Sequence, residues 1–150
     1  MSLTSFPVCF RCYKRIRTKS KGREPERRYL FHGTSDARTA TAICHQNFDP
    51  RLHGKNGTYY GLGAYFARDA SYSNNFAVED EYGLCHMFLA SVIVGQYTVG
   101  KPELRRPPSL SEGSLDLYDS CVDKMVDPAI YVVFEREQAY PAYKIVYRQV

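Results

Sequence analysis

Apolar positions along this chain fall into short runs with two different spacings. The run at residues 28–33, RYLFHG, is a compact apolar stretch closed by glycine, the signature of a buried strand. From Ser35 onward the period changes. Ala37, Ala40, Ile43 and Cys44 recur at helical spacing behind a Ser35 or Asp36 cap, which predicts a helix of about three turns. Gly54, Gly57, Gly61 and Gly63 then mark a loop and tight turn, followed by a strand at 64–67 and a short helix from 69 to about 76.

The second half reads as mainly β. Residues 86–100, HMFLASVIVGQYTVG, are β-branched and aromatic and predict one long strand that bends at Gly95. The proline-rich stretch at 101–114 predicts a surface loop. LYDSCVD, AIYVVFE and AYKIVYR predict three further strands. At the other end, residues 10–16 predict a short helix and 22–25 a break. This order of elements predicts a single α+β domain built on antiparallel sheet.

Length and composition agree. A chain of 150 residues buries roughly 70% of its unfolded surface, enough for one core, and its apolar fraction of 44% argues against general disorder. No apolar run approaches the roughly 20 residues that span a bilayer, and residues 1–10 lack the apolar centre of a signal peptide. The expected setting is intracellular, cytoplasmic or nuclear, without a membrane partner. Five cysteines scattered along the chain form a poor disulfide framework and suit a reducing compartment. Cys9 and Cys12 make a lone CxxC. Its nearest further ligands, Cys44 and His45, are adjacent on the predicted helix, so no metal is assigned.

Charge is uneven. Between residues 11 and 28, nine Lys or Arg stand against Glu24 and Glu26, whereas the whole chain carries +4. The basic character therefore belongs to an arm over 1–28, followed by a domain over 29–150. Such an arm attracts nucleic acid or another polyanion, although a solvated helix and linker has the same composition.

Candidate chemistry collects in two places. His32 and Gly33 end the first strand, where a missing side chain lets a ligand reach the backbone. In the second block Gly61 and Gly63 allow close approach, Tyr65 offers a ring face, and Ser73 and Phe76 share a helical face. Together they outline a slot for an aromatic amide. Ordinary core aromatics would leave the same pattern.

Matches to LFHGTS, ICHQNFDPRLHGKNGTYYGLGAYFARDASYS, MFLASVIVGQYTVG, YDSCVD and DPAIYVVFEREQAYPAYKIVY, in order over nearly all of 28–147, change the picture. The chain resembles the catalytic domain of the poly(ADP-ribose) polymerase superfamily, the diphtheria-toxin-like ADP-ribosyltransferases, and within it the mono-ADP-ribosylating branch. The resemblance implies an ADP-ribosyltransferase fold whose antiparallel sheets form a cleft for NAD, with NAD as co-substrate and no metal. It assigns His32 to the ribose hydroxyl and adenosine side, the Gly33 backbone and Ser73 to the nicotinamide carboxamide, and Tyr65 and Phe76 to stacking. Ser35 joins the NAD-binding set.

Polymer-forming relatives place a glutamate where this chain has Ile130, which gives an H-Y-I triad of His32, Tyr65 and Ile130. Glu135 and Glu137 lie odd numbers of residues away, and in a continuous strand they would face the opposite side. A flap at 48–58 offers Arg51, His53 and Lys55 to the pyrophosphate, or is simply a solvated loop. Relatives carry an extra strand and helix ahead of LFHGT, of which FRCYKRI resembles a remnant. The implied activity is transfer of a single ADP-ribose from NAD to a protein acceptor. The alternatives are an NAD-binding pseudoenzyme and a transferase acting on nucleic-acid ends.

Overall fold

The computed structural model describes residues 16, 22–52 and 57–150. The CxxC, nearly all of the predicted helix at 10–16, and His53 and Lys55 of the flap lie outside the described residues. In chain order the elements are β1 (Arg27–Gly33), α1 (Ala37–Gln46), β2 (Ala64–Ala67), α2 (Ala70–Asn74), β3 (Cys85–Ile93), β4 (Tyr97–Val99), β5 (Ser120–Val122), β6 (Ile130–Val133), a 3-10 turn (Arg136–Gln138) and β7 (Ala139–Tyr147). The strands form one sheet in the order β4-β5-β6-β2-β1-β3-β7, antiparallel throughout except for the parallel pair β4 and β5. The architecture is the expected α+β one.

One predicted strand is two. Residues 86–100 break at Gly95, whose φ of 56° is left-handed, and the two halves join opposite parts of the sheet. Side chains hold the break. The Asp119 carboxylate accepts from the Gln96 amide at 2.8 Å, Ser120 Oγ donates to the Val94 carbonyl at 2.7 Å, and Gln138 Nε2 donates to the Ile93 and Asp119 carbonyls. These contacts also define the shape of the sheet. Residues 94–96 can reach only about 14 Å, whereas β3 and β4 in a flat sheet would stand about 24 Å apart. The sheet must therefore curl until its two halves face one another.

The two halves meet at β1 and β2, which pair only at Phe31 opposite Ala67. On one side run β4, β5, β6 and β2; on the other, β1, β3 and β7. Inside the curl lies a core of Leu30, Phe66, Phe88, Val92, Tyr131 and Val133, covered by Ala40 and Ile43 of α1. Each such side chain stabilises by roughly 1.5–3 kcal/mol when fully buried.

Local chemistry fixes the remaining boundaries. Asp36 caps α1, accepting from the Thr39 amide at 2.6 Å, while Ser35 donates its hydroxyl to the same carboxylate. The helix stops at Asn47, whose side-chain amide donates to the Arg136 and Ala139 carbonyls and so ties the helix end to the start of β7. The predicted helix at 69–76 is shorter, because α2 ends at Asn74 and Phe76 follows in a turn. Pro141 is tolerated because β7 is an edge strand with a bulge opposite Leu89 and Ala90.

The AIYVVFE strand ends at Val133. Glu135 caps the 3-10 turn and Glu137 lies within it, so the alternation argument for those two glutamates fails: neither belongs to the strand of Ile130.

Candidate functional site

The site follows from where β1 and β2 part. Continuing their register past Phe31 and Ala67 would set Gly33 opposite Tyr65, but no ladder pair forms there. His32 bridges the opening instead. Its Nδ1–H donates to the Tyr65 carbonyl at 2.7 Å, which leaves Nε2 with its lone pair in the neutral ring. The imidazole packs among aromatics, 5.1 Å from the Phe48 centroid and 5.4 Å from that of Phe66. These surroundings desolvate the ring and pull its pKa below the usual histidine value, an effect that the hydrogen bond to Tyr65 only partly offsets. The ring is thus held neutral and oriented.

Gly33 presents backbone to the same opening. Thr34 donates its amide to the His86 carbonyl across β3, so by antiparallel alternation the N–H and C=O of Gly33 point away from β3. They face the gap. A Cβ at Gly33 would overlap the Ser73 carbonyl of α2, so the glycine also lets α2 close over β1 and bring the buried Ser73 alongside.

Tyr65 is half-buried, and its phenol is fully engaged. It donates to the Gly61 carbonyl at 2.8 Å and accepts from the Tyr60 amide at 3.0 Å, closing the glycine-rich turn on itself. Burial raises its pKa, keeping the hydroxyl protonated for that role. Gly61 needs its φ of 131° to make the turn.

Strand parity places Ile130. Ala67 pairs with Ile130 and Tyr65 with Val132, so these four side chains share one face, while Phe66, Tyr131 and Val133 fill the core on the other. Ile130 is buried at 7% exposure. Asp123 fixes its backbone, with Oδ1 accepting from the amides of Ala129 and Ile130 at 3.0 and 3.1 Å. Position 130 therefore carries an apolar side chain on the face of Tyr65.

Not every expected site residue joins this group. Phe76 packs on Tyr72 at 5.3 Å between ring centroids. Ser35 sits at the mouth of α1 with its hydroxyl on Asp36. Arg51 forks onto Asp49 at 2.6–3.3 Å, and Arg136 also reaches that carboxylate at 2.8 Å, which holds its pKa far below the usual carboxylate range. Sequence reasoning missed three supporting residues. Thr34 is buried, with amide and hydroxyl both on the His86 carbonyl; Tyr60 and Asp123 act as described above. Thr34 was legible as the small hydroxyl residue after HG. Asp123 was not, because its partners lie six and seven residues on.

The sequence matches known proteins along most of its length. The family model for the poly(ADP-ribose) polymerase catalytic domain matches residues 8–109. Mouse "Protein mono-ADP-ribosyltransferase PARP12" is 48% identical over 132 residues, covering 88% of this chain and 18% of that protein. Mouse "Protein mono-ADP-ribosyltransferase PARP11" is 40% identical over 157 residues, covering 91% of this chain and 47% of that protein. Human "Protein mono-ADP-ribosyltransferase PARP14" is 35% identical over 143 residues, covering 93% of this chain and 8% of that protein. The chain thus spans less than half the length of these relatives. With more than half of its residues matched by the family model and these identities running along it, the chain belongs to the poly(ADP-ribose) polymerase catalytic domain family.

Proposed function

We propose that this chain transfers a single ADP-ribose unit from NAD to a protein acceptor, releasing nicotinamide. The observation that carries the reading is Ile130, an apolar side chain on the face of Tyr65 at the position where polymer-forming relatives place a glutamate. The printed names of the relatives, protein mono-ADP-ribosyltransferases, point the same way.

The roles follow from the groups available. In the reaction the bond between the nicotinamide nitrogen and the ribose carbon breaks, nicotinamide leaves with the bonding pair, and an acceptor oxygen, nitrogen or sulfur bonds that carbon and gives up its proton. The Gly33 amide and carbonyl, with the Ser73 hydroxyl, would hold the leaving carboxamide. Tyr65 would flank its ring, and Nε2 of neutral His32 would accept from a ribose hydroxyl. Binding groups that grip the leaving group and orient the ribose favour the oxocarbenium-like transition state. Without a carboxylate at position 130 to polarise a second sugar hydroxyl, transfer stops at one unit.

The test is incubation of the protein with labelled NAD and a cell extract, alongside His32→Ala and Tyr65→Ala. Discrete labelled proteins, no ladder, and a loss of label of at least about 100-fold in both variants are expected. A ladder from the wild type would overturn the role of Ile130. Label that disappears on nuclease treatment would make nucleic acid the acceptor, and no label with intact NAD binding would leave a pseudoenzyme.

A further inference from the structure

A groove of about 770 Å³ runs between the last turn of α1 and β7. Tyr140 and Pro141 line it with apolar surface above the buried Phe88, while His45, Arg136 and Lys144 supply nitrogen donors. It arises because α1 covers β1 and β3 but leaves the face of β7 open. Lys144 stands opposite Phe88 in the ladder and is exposed. Its reach along the sheet is large, because Lys144 lies four residues from Tyr140, about 13 Å of strand, and Arg136 lies beyond Tyr140 on the preceding turn.

We propose that this groove docks an extended acidic segment of a protein partner. Charge complementarity carries the argument. The lining includes Arg136 and Lys144 and no carboxylate, and Asp49, which Arg136 reaches, lies outside it and is also forked by Arg51. Arg136 turns one nitrogen to Asp49 and keeps 39% of its side chain exposed for a second partner. The two cations, Arg136 and Lys144, stand apart along the groove and do not converge on one point. That spacing suits several carboxylates on an extended chain better than one phosphate, and Tyr140 and Pro141 offer surface for the intervening side chains. Pro141 and the adjacent bulge blunt the free edge of β7, so such a segment lies on the face and does not add as an eighth strand.

The experiment uses the whole chain without NAD, which separates its outcome from that of the transferase assay. A fluorescein-labelled eight-residue Glu-rich peptide is titrated by polarisation against its Gln counterpart, with Lys144→Glu and Lys144→Gln as variants. Lys144 is exposed, so both variants should melt within about 1 °C of wild type. Expected are binding of the Glu peptide, about tenfold weaker binding of the Gln peptide, losses of about tenfold and about threefold in the two variants, and weakening at 0.3 M salt. Equal affinity for the two peptides, or no effect of Lys144→Glu, overturns the proposal. So does displacement by inorganic phosphate at constant ionic strength, which would make this a small-anion site. Tighter binding of an oligouridylate that is lost in the same variants would assign the groove to nucleic acid instead.

Discussion

Replacing Gly33 by alanine adds one methyl group and tests how the cleft is assembled. Gly33 is extended, in register with Met87, and outside the left-handed region, so alanine brings no conformational strain of its own. The cost is collision. The new Cβ would overlap the Ser73 carbonyl oxygen, with the Ser73 carbonyl carbon at 3.1 Å and the Ala77 amide at 3.4 Å. All three atoms are backbone, so no rotamer change relieves the overlap and α2 must move away from β1 by on the order of 1 Å. Overpacking of this kind costs about 1–3 kcal/mol. At about 2–4 °C per kcal/mol for a domain of this size, the melting temperature should fall by about 2–12 °C. The same displacement separates the Ser73 hydroxyl from the Gly33 backbone, so affinity for a simple aromatic amide such as benzamide should fall by at least about tenfold. Thermal melting and a benzamide titration measure both. A variant that melts within 1 °C of wild type and binds benzamide equally well would refute the claim that this close approach builds the site.

Two further outcomes follow from the same region. Tyr65→Phe keeps the ring but frees the Gly61 carbonyl and the Tyr60 amide, so unfolding in guanidinium should show a loss of about 1–3 kcal/mol; unchanged stability would remove the phenol's role in closing the turn. The lowered pKa of His32 makes stability depend on pH: the unfolded chain takes up the proton near pH 6.5, whereas the folded chain resists it until lower pH. Stability contributed by the neutral ring is therefore complete above about pH 6.5 and declines as the pH falls through the folded value. Melting curves between pH 7.5 and 5 should show this decline, and His32→Asn should flatten it.

What the sequence disclosed was local. The period change at Ser35, the glycine punctuation before Tyr65 and the β-branched and aromatic runs of the second half each placed an element near its true position, because spacing and turn chemistry act over a few residues. Long-range closure was hidden. Gly95 looked like a bend, yet the carboxylate that holds its neighbour belongs to Asp119, far along the chain. The end of β6 was hidden for a related reason: FER continues an apolar run, but the Glu135 side chain accepts from the Gln138 amide in a capping box and turns the chain into the 3-10 helix. Arg51 read as a free cation because nothing in DPR reveals that the aspartate two residues earlier folds back onto it.

The joining of the two sequence blocks has a single structural cause. A fully zipped β1–β2 ladder would spend the Gly33 amide and carbonyl on β2, and the Tyr65 carbonyl would have no need of His32. Because pairing stops at Phe31 and Ala67, those backbone groups are released into the opening, and the imidazole takes up one of them. The curl imposed by the short link between β3 and β4 explains why the pairing stops: the two halves must face one another, and the strands at the fold line cannot stay parallel to a common plane. On the β2 side, zipping does continue with β6 through four pairs, which fixes Ile130 beside Ala67 on the face of Tyr65. The same asymmetry that parts β2 from β1 on one edge therefore anchors Ile130 on its other edge, on the face of Tyr65.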